Sequence, residues 1–394
     1  MTPIPFGRVV RLVTTRESGR SEFRMGLESI EKATGRLVDV GDVEYEGDGI
    51  SFEPGDVLFG KLRPNLAKAW LADRAGDAVG DFHVYRPEGR WMTSRYLAYL
   101  VLSEPFLGPV VAAVQGAKMP RADWSVVRNI EVHAPALPAQ RAIADYLDRE
   151  TAQIDAFIAK NEELVVLLAE RRDSLWTELY DDAATAGELV PVRRLVASIV
   201  DGPFGSSLTS AHYSTAGTRV IRLGNIGINE FKHADEAFIS TEYAAQLATH
   251  AASAGDVIVA GLGDERMPLG RACVLPDIGP AIVKADCYRV RPNRLVSAEY
   301  LAWVLSAPPT RGQMRLLARG TTRLRLNTSV VRDVQVPVPS TSLQAELAAR
   351  FRGRADEIDA ASTKAEHGIV LARERRAALI SAAVTGKIDV GVAA

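Results

Sequence analysis

Cysteine is almost absent from this sequence. Cys273 and Cys287 are the only two in 394 residues. That is too few for a disulfide framework or a cysteine-type zinc site, and both read as small core residues in a reducing compartment. A uniform basic coat is missing too: 47 Lys and Arg stand against 49 Asp and Glu, a formal net charge of −2. Any nucleic-acid surface must therefore be local. The longest apolar runs fall far short of the about 20 residues that span a bilayer. The start, MTPIPFGRVV, has no basic segment leading into an apolar run, so no secretory signal is expected. A cytoplasmic chain without membrane contact follows. An apolar fraction of 47% and a charged fraction of 24% are ordinary for folded protein, and the length allows two or three domains.

Signatures of catalysis are also lacking. Gly55-Asp-Val-Leu-Phe-Gly60-Lys61 has the spacing of a phosphate-cradling loop. Leu62, however, stands where Ser or Thr would hold magnesium, and Val57-Leu58-Phe59 is strand-like. The only Pro-Pro, in Ala307-Pro308-Pro309-Thr310, has neither the amide nor the aromatic neighbours of an adenine-methylating motif. No glycine-rich loop lies between a strand and a helix to hold a nucleotide-like cofactor. The six histidines show no i, i+4 pairing, and no metal cluster or nucleophile–base set is apparent.

What the chain does have is a long helix. After Pro138, over forty residues pass without proline or glycine. Ile143, Leu147, Ile154, Phe157, Ile158, Val165, Leu168, Leu175 and Leu179 recur at three, four or seven, the narrow seam of a coiled coil. The stretch occurs twice. A shift of 204 carries Gln140 onto Gln344, Ile154-Asp155 onto Ile358-Asp359, Arg171-Arg172 onto Arg375-Arg376 and Leu175 onto Leu379. The register continues upstream, with Tyr96-Leu97-Ala98 on Tyr300-Leu301-Ala302 and, at a shift of 200, Gly55-Asp56-Val57 on Gly255-Asp256-Val257. Two copies of one unit, a globular part followed by a long helix, are thus expected.

The expected parts are a first globule at 1–137, a first long helix with linker at 138–184, a second globule at 185–340, and a second long helix with tail at 341–389. Asp181 to Gly187 reads as the linker. The second helix is poorer in large side chains, and Gly368 interrupts its pattern. Matched seams point to the helices packing on each other through Ile143, Leu147, Ile154, Phe157, Leu168 and Leu175 against Leu347, Phe351, Ile358 and Leu379. The expected fold class is α+β.

One basic segment stands out. Arg311, Arg315, Arg319, Arg323, Arg325 and Arg332 have no acid between Arg311 and Arg332. Arg323 and Arg325 flank Leu324, which directs both to one face of an extended stretch, with Asn327 two residues further on. Arg and Asn pair bidentately with guanine and adenine edges, while Thr321 and Thr322 beside Gly320 suit phosphate contacts. The plain alternative is a solvated basic face, but Lys118 and Arg121 occupy the same place in the first copy. Lys61, Arg63 and Lys68 form a second candidate surface. Arg222, Asn225, Arg266 and Arg271 complete the candidate DNA-binding set.

These features carry a resemblance. The carrying residues are the opening Pro135-Ala-Leu-Pro-Ala-Gln140 and Ile154-Asp155 with their copies in register at Gln344 and Ile358-Asp359, and Gly320-Thr-Thr-Arg323, Asp201-Gly-Pro-Phe-Gly205 and Ala383-Val-Thr-Gly-Lys-Ile-Asp389. Over essentially its full length the chain resembles the specificity subunit of type I restriction–modification enzymes. The first copy departs at Gly116-Ala-Lys-Met119, where the second has Gly320-Thr-Thr-Arg323.

The resemblance implies two target recognition domains of mixed α/β type, each reading half of a split site in double-stranded DNA. The helices would pair antiparallel as a spacer, giving a pseudo-twofold repeat. Two methyltransferase subunits and, for restriction, motor–nuclease subunits would be its partners, and would bind the S-adenosylmethionine, ATP and magnesium that this chain does not. A helix of about 43 residues is about 64 Å long, against about 34–36 Å for one DNA turn, so such a rod can separate two readers. A coiled-coil scaffold without sequence-specific DNA binding is the alternative; a fused single-chain enzyme is disfavoured by the missing motifs.

Overall fold

The computed structural model describes residues 3–16, 21–39, 43, 45–114, 120–264, 267–320, 324–388 and 390. Two long helices, Leu137–Ala186 and Thr341–Val384, run through it. The chain divides into two compact units. One comprises Met1–Glu163 with Lys364–Ala394, the other Leu164–Thr363. Each helix therefore gives one half to each unit. The division into globules and rods read from the sequence is not the division into compact units, because each apolar core encloses parts of both helices.

In the first unit a four-stranded antiparallel sheet has the order Val10–Val13, Phe82–Pro87, Val57–Gly60, Ala69–Leu71. Beside it lie three strands, Arg24–Met25, Gly76–Val79 and Gly49–Phe52, the first pair parallel and the second antiparallel. The second unit repeats this plan. Val196–Val200, Cys287–Pro292, Val257–Ala260 and Ala272–Val274 form its four-stranded sheet. Thr218–Ile221 runs parallel to Ala281–Val283, and Ala251–Ala252 antiparallel to it. A two-strand extension, Phe238–Ile239 and Tyr213–Ser214, is added there. The helices Ser94–Leu102 and Ala298–Ser306 match as well. This is an α+β fold built on an internal repeat.

The strand reading of Val57–Gly60 accounts for the loop-like spacing around it. All four residues are buried. Asp56 takes two 2.7 Å hydrogen bonds from Arg86, as Asp256 takes two of 2.8 Å from Arg291. These carboxylates brace the sheet rather than serve a phosphate.

Gln140 and Gln344 fasten each helix to its globule. Buried Gln140 accepts from the Thr93 N–H at 2.8 Å and donates to the Trp91 and Pro135 carbonyls at 2.7 and 2.8 Å. Gln344 does the same with Ser297, Leu295 and Pro339. A buried amide with every group engaged holds its helix start in one orientation.

The helices pair antiparallel in both units. In the first, Ile143 and Leu147 share a core with Ile380, Ala383 and Val384. In the second, Leu175, Trp176, Leu179, Tyr180 and Ala183 share one with Leu347, Phe351 and Ala355. The Trp176 and Phe351 ring centroids are 4.1 Å apart. Polar pairs exchange between the copies. Arg376 donates through Nε to Asp155 at 3.0 Å, and Arg172 through Nη1 to Asp359 at 2.8 Å. Since Asp359 is the copy of Asp155 and Arg376 of Arg172, each pair is the other with its partners swapped, the signature of a self-complementary interface.

Several expectations are corrected. Asp181 to Ala186 is not a linker but the last turns of the first helix, held by buried Ala183 and by Asp182 beside Arg350. Gly368 does not break the second helix; a side chain there would approach the Phe157 ring to 3.6 Å. Phe157 flanks the seam, half exposed, while Ile154, Ala365, Ile369 and Ala372 are buried. Leu168 is half-buried, whereas Ile358 and Leu379, also half-buried, pack against the cores as expected, with Ile380 beside Leu379 fully inside.

The two exchanged ion pairs are not equally enclosed. Arg376 is 7% exposed and also donates to the Ala33 and Thr34 carbonyls at 2.9 and 2.6 Å. Arg172 is 31% exposed. Removing Arg376 leaves the buried Asp155 with only the exposed Arg36, at 2.5 Å, and the Ala33 and Thr34 carbonyls without their donor. Arg376→Ala should lower the unfolding free energy by about 3–5 kcal/mol, and Arg172→Ala by about 1 kcal/mol or less. Urea unfolding of both variants checks this; equal losses would contradict it.

Candidate nucleic-acid interface

In each unit the same small construction carries an outward-facing arginine. In the first, the Lys61 N–H donates to the Asp81 carbonyl at 2.9 Å, and the Ala122 N–H to the Lys61 carbonyl at 2.8 Å. Arg121 reaches back with Nη2 to the Asp81 carboxylate at 3.0 Å. In the second, the Gly261 N–H donates to the Asp286 carbonyl and the Leu326 N–H to the Gly261 carbonyl, both at 2.8 Å. Arg325 there grips Asp286 with two bonds of 2.7 and 3.0 Å. Arg121 and Arg325 are copies, and their side chains are 57% and 51% exposed.

The residue filling each construction differs in a coupled way. Where the second unit has Tyr288, whose hydroxyl donates to the Leu326 carbonyl at 2.7 Å, position 261 must be glycine, because a Cβ would lie 2.4 Å from the ring. The first unit has the smaller His83 and admits Lys61. Burial, and then the Lys61 charge, push the His83 pKa down to about 4, so it is neutral near pH 7 and adds no charge to this face.

Around Asp81 the structure gathers Lys61 and Arg121, with Arg63 close in sequence to Lys61. The Lys61 ammonium lies 3.8 Å from the Asp81 carboxylate. Arg63 is exposed, with a left-handed backbone of φ +50° and its N–H on the Pro120 carbonyl at 2.8 Å. Lys68 leaves this set, because its ammonium donates to the Leu27 carbonyl at 2.7 Å.

In the second unit three candidates are corrected. Arg271 is buried, its guanidinium donating to the carbonyls of Ile226, Leu262, Met267, Pro268 and Leu223; it ties loops together from within. Asn225 is fully buried, accepting from the Arg222 N–H and donating to the Lys232 and Asp235 carbonyls. Asn327 is exposed but caps the helix Thr328–Asp333, accepting from the Val330 N–H at 2.9 Å. Its oxygen is not free for bidentate adenine contact. Arg222 pairs with Asp235 and stands over the Tyr213 ring.

The run from Arg311 to Arg332 is not one basic face. Arg311 is turned in, donating to the Ser306 carbonyl at 2.8 Å, and burial lowers its pKa. Arg332 points to the Ile199 carbonyl. Lys118, Arg266, Thr321, Thr322 and Arg323 lie outside the described residues.

The sequence reading missed the aromatic component. Phe204, in the Asp201-Gly-Pro-Phe-Gly205 loop, is 52% exposed, with the Arg325 guanidinium 5.5 Å from its ring centroid. Tyr213 accepts from the Lys284 ammonium at 3.0 Å. The sequence marks the loop as a motif but gives the phenylalanine no role, which comes only from the placement of Arg325 beside it. Gly202 seats the loop: a Cβ there would lie 2.0 Å from the Lys284 carbonyl carbon. The Asp201 carboxylate accepts from the Gly202 and Asp286 N–H groups at 2.7 and 3.0 Å, and the His250 ring donates to the Asp201 carbonyl.

Comparison with known proteins bears on this arrangement. No protein-family model matches the chain. It is 21% identical over 316 residues to the type I restriction enzyme MjaVIII specificity subunit of Methanocaldococcus jannaschii, spanning 76% of this chain and 71% of that one. A chain from a structural study of complex assembly and conformational transition in a type I restriction–modification system superposes with a TM-score of 0.73. It shows 16% identity over 98% of both chains. The HsdS subunit of Thermoanaerobacter tengcongensis superposes with a TM-score of 0.53, at 16% identity over 98% of this chain and 97% of that one. The fold is that of type I specificity subunits, and sequence and structure agree in the resemblance. Among the described residues no helix is long and apolar enough to cross a membrane, and no group of three or more His, Cys, Asp or Glu gathers as a metal set.

The Asp201 carboxyl, chiefly through burial, is pushed up from 3.8 to about 6. An acid raised on folding holds its proton more tightly in the folded state. Its contribution to stability is complete below about pH 4 and lost as pH rises through about 6. Asp201→Asn should therefore remove part of the decline in unfolding midpoint between pH 4 and 6.5, measured by urea titration. An unchanged decline would contradict this.

Proposed function

We propose that this chain is the DNA-recognition subunit of a type I restriction–modification complex and performs no chemistry of its own. One observation carries the reading: the same arginine–aspartate construction, Arg121 with Asp81 and Arg325 with Asp286, faces outward in both copies. Around it the sequences differ, as at His83 and Tyr288. Two readers of one design with different contents suit a split, asymmetric DNA site. Positive, planar side chains are the chemistry that recognises phosphate and guanine edges.

The two long helices, of 50 and 44 residues, are about 75 and 66 Å long at about 1.5 Å per residue. In this reading they set the spacer between the half-sites. They also carry half-exposed apolar side chains, Phe157, Val370 and Leu371 in one unit and Leu164, Val166 and Leu167 in the other. Such residues suit docking of partner helices, here two methyltransferase subunits, joined by motor–nuclease subunits for restriction. S-adenosylmethionine, ATP and magnesium would be held by those partners. The same apolar residues would also serve a scaffold that binds no DNA.

Assembly with a cognate methyltransferase subunit and sequencing of methylated DNA separates the two. Site-dependent adenine methylation is expected, and its absence leaves only the scaffold. Arg121→Ala should relax one half-site and Arg325→Ala the other, each by about 1–3 kcal/mol of discrimination. Both substitutions acting on one half-site, or weakening all sequences alike, would contradict the assignment.

A further inference from the structure

We infer that Phe204 is a base-contacting residue of the second half-site, acting beside Arg325. The inference rests on the DNA-recognition reading above. An arginine carries five N–H donors in a rigid fork, so an edge held by a carboxylate still leaves donors for a base. In Arg325, Nε and one terminal nitrogen are already engaged with Asp286, and the Asp286 N–H is tied to the Asp201 carboxylate. The guanidinium is therefore fixed, and the face it turns aside lies on the Phe204 ring.

The loop bearing Phe204 is anchored at its base by three contacts on Asp201 and by the close approach of Gly202 to Lys284. A large apolar ring half exposed to water at the tip of an anchored loop contributes little to the core. Among the described residues, no buried cluster includes Phe204. It is instead continuous with a surface where cations and aromatic rings alternate: Arg325, then Lys284 and Arg222 around Tyr213. Rings interleaved with cations are how proteins combine backbone attraction with apolar contact to bases. A phenyl ring fixed in place can press on a thymine methyl in the major groove. A partner protein is the other occupant such a ring could meet, but the surrounding Arg325, Arg222 and Lys284 favour a polyanion.

The test uses the assembled complex with its methyltransferase subunits. The probes are a duplex of the methylated motif identified by sequencing and a second duplex with the half-site read by the second domain scrambled. Phe204→Ala should weaken binding to the first duplex about tenfold, within the range of a lost base–aromatic contact. Binding to the scrambled duplex should be unchanged. Phe204→Leu, which keeps apolar bulk, should retain most of the affinity. Asp286→Asn, which loosens Arg325, should give a partial loss confined to the same half-site. Unchanged affinity of Phe204→Ala, equal loss on both duplexes, or dissociation of the methyltransferase subunits would each overturn the inference. If wild type itself fails to distinguish the duplexes, the recognition reading falls too. If wild type distinguishes them and Phe204→Ala does so equally well, only the role of Phe204 falls.

Discussion

The structure depends on a helix pair that is complementary to its own duplicate. Asp155 meets Arg376 and Asp359 meets Arg172, so one interaction, encoded once and copied, closes the pairing in both units. A duplicated chain gains two such contacts from one ancestral sequence solution, as a symmetric dimer does. The charges alone would add little. What makes the pairing firm is that apolar residues from both helices enter each globular core, Ile143 and Leu147 beside Ile380 in one, Trp176 beside Phe351 in the other. Neither helix could leave without opening a core.

The rest of the architecture transmits that constraint. Gln140 and Gln344 lock each helix start to strand ends and turns of its globule. Tyr96 and Tyr300 repeat the theme, donating to the His133 and Pro337 carbonyls. The sheets then carry, at the ends of Val57–Gly60 and Val257–Ala260, the turns that hold Arg121 and Arg325 outward.

Much of this was legible in the sequence because it is periodic or repeated. The first long helix announces itself by spacing and by the absence of proline and glycine after Pro138, and the second by its register with the first. The repeat is visible because Gln140, Ile154-Asp155 and Arg171-Arg172 have copies in register. The site was less legible, since charge alone does not say which way a side chain points. Arg271 and Asn225 look like DNA ligands in composition, yet their groups satisfy buried carbonyls. Arg311 sits in a basic run and turns inward. The linker reading of Asp181 to Ala186 failed because small polar residues suit a helix end as well as a loop when one of them, Ala183, is buried. Phe204 was invisible because its meaning comes from Arg325, more than a hundred residues away.

The proposal that the paired helices set the spacing of two DNA half-sites is tested most directly by lengthening them. Inserting seven residues into each long helix, between Glu163 and Leu164 and between Thr363 and Lys364, preserves the apolar seam. It lengthens the pair by about 10 Å, close to three base pairs. Sequencing of methylated DNA from cells expressing the variant with its partners should show both half-sites unchanged and the spacer longer by about three base pairs. An unchanged spacer with intact methylation would contradict the account.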